Sequence, residues 1–207
     1  MNETKQKILD TAERLFAENG YAATSLRHII AEAGVNLAAI HYHFGSKQDL
    51  LDQLIIRKAG PMNERRLRLL DQFEAEAAPA PPQVEKIMEA LITPAILMEK
   101  SPEFVKLIGR MLAEGLMPEI AQRHFQPTLA RFMSSLQKAL PGVAEKVLRW
   151  KMRFVIGSMA HALTAGPETL PDCGQDSPSS ISRMLVSFVS SGLRATAAPD
   201  NEIEVNQ

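Results

Sequence analysis

Three of the five histidines, His28, His41 and His43, fall in one short stretch, and imidazoles gathered this way can ligate a metal or move protons. His41 and His43 are two apart, which on a helix turns their rings roughly 200° from each other, so they cannot share one ion. His28 and Glu32, four apart, read as a surface pair. No metal and no cofactor are expected. The lone cysteine, Cys173, has no histidine near it in sequence, no Gly-rich phosphate cradle occurs, and no histidine–carboxylate set has ligand spacing. An enzyme is therefore the weaker reading.

The same stretch suits a different chemistry, recognition of a duplex. Leu37 to Phe44 forms a short helix with Ile40 and Phe44 four apart on its inner side. Leu37, Ala38, Ala39, His41, Tyr42 and His43 fill the remaining faces. Ala38 and Ala39 let the backbone approach closely, and their methyls suit thymine methyls. The Tyr42 hydroxyl can donate to a phosphate; an ordinary half-buried tyrosine is the alternative.

Such a helix needs a frame to hold it out. Residues 4–19 place Ile8, Leu9, Ala12, Leu15 and Phe16 on one face and Lys5, Lys7, Asp10, Glu13, Arg14 and Glu18 on the other, and Asn19-Gly20 ends the helix. Thr24-Ser25 offers an N-cap to a second helix carrying Ile29, Ile30 and Ala33, which stops at Gly34. After the presenting helix, Gly45-Ser46 breaks the chain and Ser46 caps a fourth helix with Leu50, Leu51, Leu54 and Ile55. Two short helices joined by a Gly-containing turn form a helix-turn-helix. Its first helix crosses the backbone of a duplex while the second enters the major groove.

Several blocks carry a resemblance: Ala12 to Tyr21 (AERLFAENGY), Thr24 to Asn36 (TSLRHIIAEAGVN) and Ile40 to Lys47 (IHYHFGSK). Together they resemble the TetR family of bacterial repressors over roughly the first 55 residues. The resemblance implies an all-α dimer with an N-terminal three-helix DNA-reading head and a C-terminal helical ligand-binding and dimerisation body. It places Ser25, Arg27, Asn36, Leu37, Ala38, Ala39, His41, Tyr42, His43 and Lys47 as the DNA-contact set. Leu37 departs from the polar or basic residue common at its position, so no base preference carries over. The expected division is a head over 1–55, a body over 56–197 and an acidic tail over 198–207.

Bulk charge does not compete with this reading. The formal net charge is −1 over 207 residues, and segment 1–59 holds seven basic and seven acidic residues. A neutral helical bundle that binds only protein is the rival, yet Arg27 and Lys47 flank the presenting helix. Local cations, rather than the total, decide phosphate binding.

Beyond residue 60, helices are expected at about 83–99, 102–116, 118–140, 143–165 and 178–196. Gly60-Pro61 should punctuate the chain, and Glu74 to Pro82 should be a linker. Pro94 and Pro127 should bend their helices, and residues 166–177 should form a loop. Nine of the ten methionines lie here. Met is usually core filler, but with the aromatic side chains it can line a deformable cavity. The expected pocket is Met88, Ile92, Leu107, Arg110, Met111, Glu114, Phe125, Phe132, Trp150 and Phe154. Arg110 and Glu114 are either a solvent-facing ion pair or a recognition pair, and His161 is similarly ambiguous.

Val147, Trp150, Phe154 and Gly157, with Ile181, Leu185, Phe188 and Gly192, stripe the last two helices as a homodimer interface or as the rest of a monomer core. Met62 to Asp71 is similar to a TetR subgroup with fatty-acid-responsive members, which makes a small hydrophobic effector, acyl or aromatic, the expected ligand. The polar start is not a secretion signal, no stretch approaches a membrane span, and one cysteine suits a reducing cytoplasm.

Overall fold

The computed structural model describes residues 3–36, 42–97, 102–164 and 176–195, and every regular element among them is helical. The chain starts with α1 (Glu3–Asn19) and α2 (Leu26–Ala33). The Ser25 side chain accepts the His28 N–H at 3.1 Å, and Gly34 closes α2 in a left-handed conformation. Thr24, the other expected cap, is buried and donates to the Gly20 carbonyl at 2.8 Å. Positions 37–41 of the expected presenting helix lie outside the described residues; Tyr42 and His43 are helical, and Phe44 is buried.

A 31-residue helix, α3 (Lys47–Ala77), is the spine of the molecule. Ser46 caps it by accepting the Asp49 N–H at 3.0 Å. The expected break at Gly60-Pro61 does not occur: Pro61 lies inside the helix, and the helix runs unbroken through the 55/56 boundary. Proline removes a ladder hydrogen bond and crowds the preceding turn. Packing on both sides overrides that cost. Leu50, Leu51, Leu54, Ile55 and Ala59 are locked in one core, and Leu70 and Phe73 in another. The expected linker also starts late, because α3 extends through Ala77.

The rest of the chain comprises α4 (Val84–Leu97), α5 (Pro102–Ala113), α6 (Met117–Ile120), α7 (Gln126–Ala139), α8 (Glu145–Thr164) and α9 (Pro178–Arg194). A π-helical turn, Ala121–Phe125, joins α6 to α7. Pro127 therefore sits in the first turn of α7, where a missing N–H costs nothing, rather than bending a long helix from within. The 166–177 loop as far as residue 175, and the tail, lie outside the described residues.

The two cores divide the helices. The first joins α1, α2 and the first half of α3 to Phe104, Leu107 and Met111 of α5. The second joins the far half of α3 to α4, α7, α8 and α9. The head is thus seated on the body through α5. Glu13, expected on the solvent face of α1, is buried; it accepts Arg57 Nη2 at 3.0 Å and Lys58 Nζ at 2.8 Å, tying α1 to α3.

Candidate nucleic-acid interface and body cavity

Tyr42 is 84% exposed. Its ring stands edge-on to His43, with centroids 4.9 Å apart, and His43 in turn lies against the ring of the buried Phe44. A buried aromatic therefore props up an exposed one. Ser25, Arg27 and Asn36 are on the surface as well. Lys47, at the start of α3, sits 4.2 Å from the Tyr21 ring centroid and donates to the Ala22 carbonyl at 3.3 Å. Partial burial pushes its ammonium pKa down, against a nearby Glu114 that raises it. Of the expected DNA-contact set, Leu37, Ala38, Ala39 and His41 lie outside the described residues.

The joint between head and body lies behind Lys47. Glu114, just past α5, accepts the Tyr21 N–H on Oε1 and the Ala22 N–H on Oε2, both at 3.1 Å. Arg110 donates to the Glu18 carbonyl at 3.1 Å. Neither lines the apolar cavity of the body, and they do not pair with each other: both reach across to the head, Arg110 along an open cleft it shares with Glu18 and Lys106, which corrects their place in the expected pocket. On the other side of the joint the π turn is tied to α3. His124 meets Asp52 at 2.7 Å, Arg123 meets the same carboxylate at 3.3 Å, and Asn63 donates to the His124 carbonyl at 3.3 Å.

The body holds a largely apolar, partly open cavity of about 170 Å³ between α3, α4, α5, the π turn, α7 and α8. Val105 and Ile108 face it from α5, Phe125 from the π turn, Leu129 from α7 and Met159 from α8. Among the ten expected lining residues, Phe125 alone lines it. Met88, Ile92 and Phe132 fill the second core, and Leu107 and Met111 the first, because α4, α5 and α7 turn those faces into solid packing. Trp150 and Phe154 point to solvent.

Arg66 also lines the cavity, and sequence reasoning did not single it out as a site residue. It is 3% exposed. Its Nε donates to the Leu91 carbonyl at 2.7 Å, Nη1 to Asn63 Oδ1 at 3.1 Å, and Nη2 meets only the Met159 thioether at 3.4 Å. Leu91 stands three residues before Pro94, where a proline disturbs the helix ladder and a side chain can insert. Among the described residues no carboxylate pairs with Arg66. Burial pushes its guanidinium pKa down to about 10, so it remains a cation at neutral pH. The signal was present: Ala59, Met62, Arg66, Leu70 and Phe73 form a helical stripe, and a charge within an apolar stripe marks an enclosed site.

The last two helices carry an uncovered apolar face. On α8 Trp150 is 51% exposed and Phe154 65%; on α9 Phe188 is 70% exposed and Met184 53%. The rings of Trp150 and Phe154 are 6.1 Å apart. Gly157 and Gly192 are on the surface too, whereas Val147, Ile181 and Leu185 are half-buried.

Fold and site together define a helix-turn-helix protein with a hollow helical body, and comparison with known proteins gives the family. Residues 8–54 match the family model of bacterial regulatory proteins of the TetR family. Residues 89–192, half of the chain, match that of the tetracyclin repressor-like C-terminal domain. The chain belongs to the TetR family, and so is a helix-turn-helix regulatory protein rather than an enzyme.

Over 51 residues it is 47% identical to the uncharacterized HTH-type transcriptional regulator YerO of Bacillus subtilis, which covers 25% of this chain and 18% of that protein. Over 52 residues it is 48% identical to the HTH-type transcriptional regulator AcrR of Shigella flexneri, covering 25% and 24%. The chain thus spans under a quarter of the length of either relative. Among solved structures, SCO4454, a TetR-family transcriptional regulator from Streptomyces coelicolor, is similar with a TM-score of 0.63 at 21% identity, over 93% of this chain and 89% of that one. The fatty acid degradation regulator FadR from Bacillus halodurans gives 0.56 at 17% identity, over 95% and 99%. At such identities these two show the shared fold. Among the described residues no helix is long and apolar enough to cross a membrane.

Proposed function

We propose that this chain is a ligand-responsive transcriptional repressor of the cytoplasm, holding a palindromic operator as a homodimer and released from it by a hydrophobic small molecule. The observation that carries the reading is the double use of α5. Val105 and Ile108 face the cavity, while Leu107 and Met111 are packed in the head core, Arg110 holds the end of α1 at Glu18 and Glu114 holds the loop after it. A ligand that fits one placement of α5 better than another shifts the head with it. Operator affinity then falls by as much as the ligand discriminates between the two placements.

The head occupies residues 1–55 in this reading, and the body, 56–197, binds effector and partner. The DNA contacts in this reading are Ser25, Arg27, Asn36, Leu37, Ala38, Ala39, His41, Tyr42, His43 and Lys47, of which Ser25, Arg27, Asn36 and Tyr42 are fully on the surface. Two heads bound to successive half-sites require two chains, and the uncovered face of Trp150, Phe154 and Phe188 suits a second copy in a four-helix arrangement. Selection of duplexes from a random pool tests the reading. Enrichment of a two-fold symmetric site whose binding weakens with salt is expected, and a pool with no enriched sequence contradicts it.

A further inference from the structure

We infer that the body cavity is a carboxylate site: its ligand is a small organic acid, one aromatic ring or a short acyl chain in size, whose anionic head pairs with Arg66. The inference rests on the ligand-responsive reading above and adds the charge and size of the effector. A guanidinium taken out of water must be compensated, and a buried cation without a counter-charge is among the most costly arrangements in a protein. Arg66 is met by a carbonyl, an amide oxygen and a thioether, all neutral. The thioether is a weak acceptor, and Met159, which supplies it, lines the same cavity. The flexible Met159 side chain can give way, leaving Nη2 to an incoming oxygen while Nε and Nη1 keep the guanidinium oriented.

The rest of the lining suits an apolar body: Val105, Ile108, Phe125 and Leu129 offer no second ionic group. Thr164, the other polar side chain of the lining among the described residues, donates its hydroxyl to the Ala160 carbonyl. One cation in an apolar chamber selects a monoanion over a neutral molecule, a dication or a polyphosphate. Size narrows the class further. A cavity of roughly 150 Å³ holds benzene, and this one is about 170 Å³. An arrangement serving only to pin α4 at Leu91 would also bury Arg66, but it predicts no preference for anions.

The test is calorimetric titration of the full-length protein with benzoate, 3-phenylpropionate, octanoate and palmitate, each beside its neutral primary amide, at pH 7. 3-Phenylpropionate or octanoate is expected to bind at least tenfold more tightly than its amide, and Arg66→Met to abolish that preference in a folded protein. Should Arg66→Met fail to fold, the acid–amide comparison on the unaltered chain decides alone. Equal binding of acids and amides, a preference that survives in Arg66→Met, or no binding by any acid overturns the inference. Palmitate binding more tightly than the two smaller acids overturns its size claim.

Operator release is read in the same samples. Amides that release the operator as well as acids do would overturn this inference and leave the regulator intact. Acids that bind without affecting the operator would do the reverse.

Discussion

The Glu114 carboxylate accepts the Ala22 amide at 3.1 Å, and the carbonyl of Ala22 accepts the Lys47 ammonium at 3.3 Å. A residue at the end of a body helix is thereby joined, through one loop residue, to a cation at the rim of the reading surface. Glu114→Ala should cost about 1 kcal/mol of stability, since two hydrogen bonds to an exposed carboxylate are lost. Its larger effect should fall on coupling, with effector releasing operator less completely at saturation. Titrating effector against operator anisotropy for both proteins measures the difference.

Gly20 is the position where a side chain would have to displace part of this joint. Its φ is +87°, and a Cβ there would lie 2.1 Å from Glu114 Oε1. Gly20→Ala should therefore destabilise by roughly 1–2 kcal/mol from the left-handed backbone alone, and also displace the carboxylate from Tyr21 and Ala22. A double-mutant cycle with Glu114→Ala should be clearly non-additive, because the carboxylate is lost once. Additive denaturation energies would separate the two residues.

Tyr42→Ala and Lys47→Ala should each weaken operator binding while leaving a folded dimer. Lys47→Ala should also reduce the slope of log affinity against log salt by about 1 if the ammonium contacts a phosphate. The cation is placed for that, since it hydrogen-bonds a carbonyl and lies over a neutral ring, and no carboxylate among the described residues is paired to it. Anisotropy over a salt series reads both effects.

Phe188→Asp should convert the protein to a monomer in sedimentation experiments, because Phe188, 70% exposed, is the most exposed large apolar side chain of the two last helices, with Met184 one turn before it on α9. The monomer should keep its helical content, as the residues that pack α9 into the body are Val189 and Leu193 on its other side.

Two carboxylates in the body should set its acid stability. A hydrogen bond from Arg131 holds Glu74 below the usual carboxylate range, and one from Arg194 does the same for Glu85. Groups with lowered folded-state pKa values contribute stability above the unfolded value, and this is lost as the pH falls through the folded value. Tm should stay flat down to the ordinary glutamate range, about pH 4.3, and decline below it. Glu74→Gln should lower Tm at neutral pH and reduce the acid-dependent decline.

The head was legible because its signals are local. Ser25 before α2, Gly34 after it and Ser46 before α3 act within three or four residues, and each does what its position in the sequence implies. The body was legible as helices but not as a cavity. Whether Leu107 fills a core or Ile108 faces a hollow depends on how α5 is rotated against α1 and α7, which adjacent sequence does not record. Pro61 shows the same limit from the other side: a strong local breaker is overruled when packing at Leu54 and Leu70 holds the helix at both ends. Arg66 lay within a segment read for its resemblance to a subgroup. Its place on an apolar stripe, rather than the resemblance, marks its role.

The most direct test of the account fills the cavity without a ligand. Val105→Trp places an indole into the space of about 170 Å³ from α5 itself. Measured by anisotropy on the selected duplex, the substituted dimer should bind at least tenfold more weakly than the unaltered one and no longer respond to effector. A dimer that binds the duplex with unchanged affinity would contradict the claim that α5 carries the state of the cavity to the reading head.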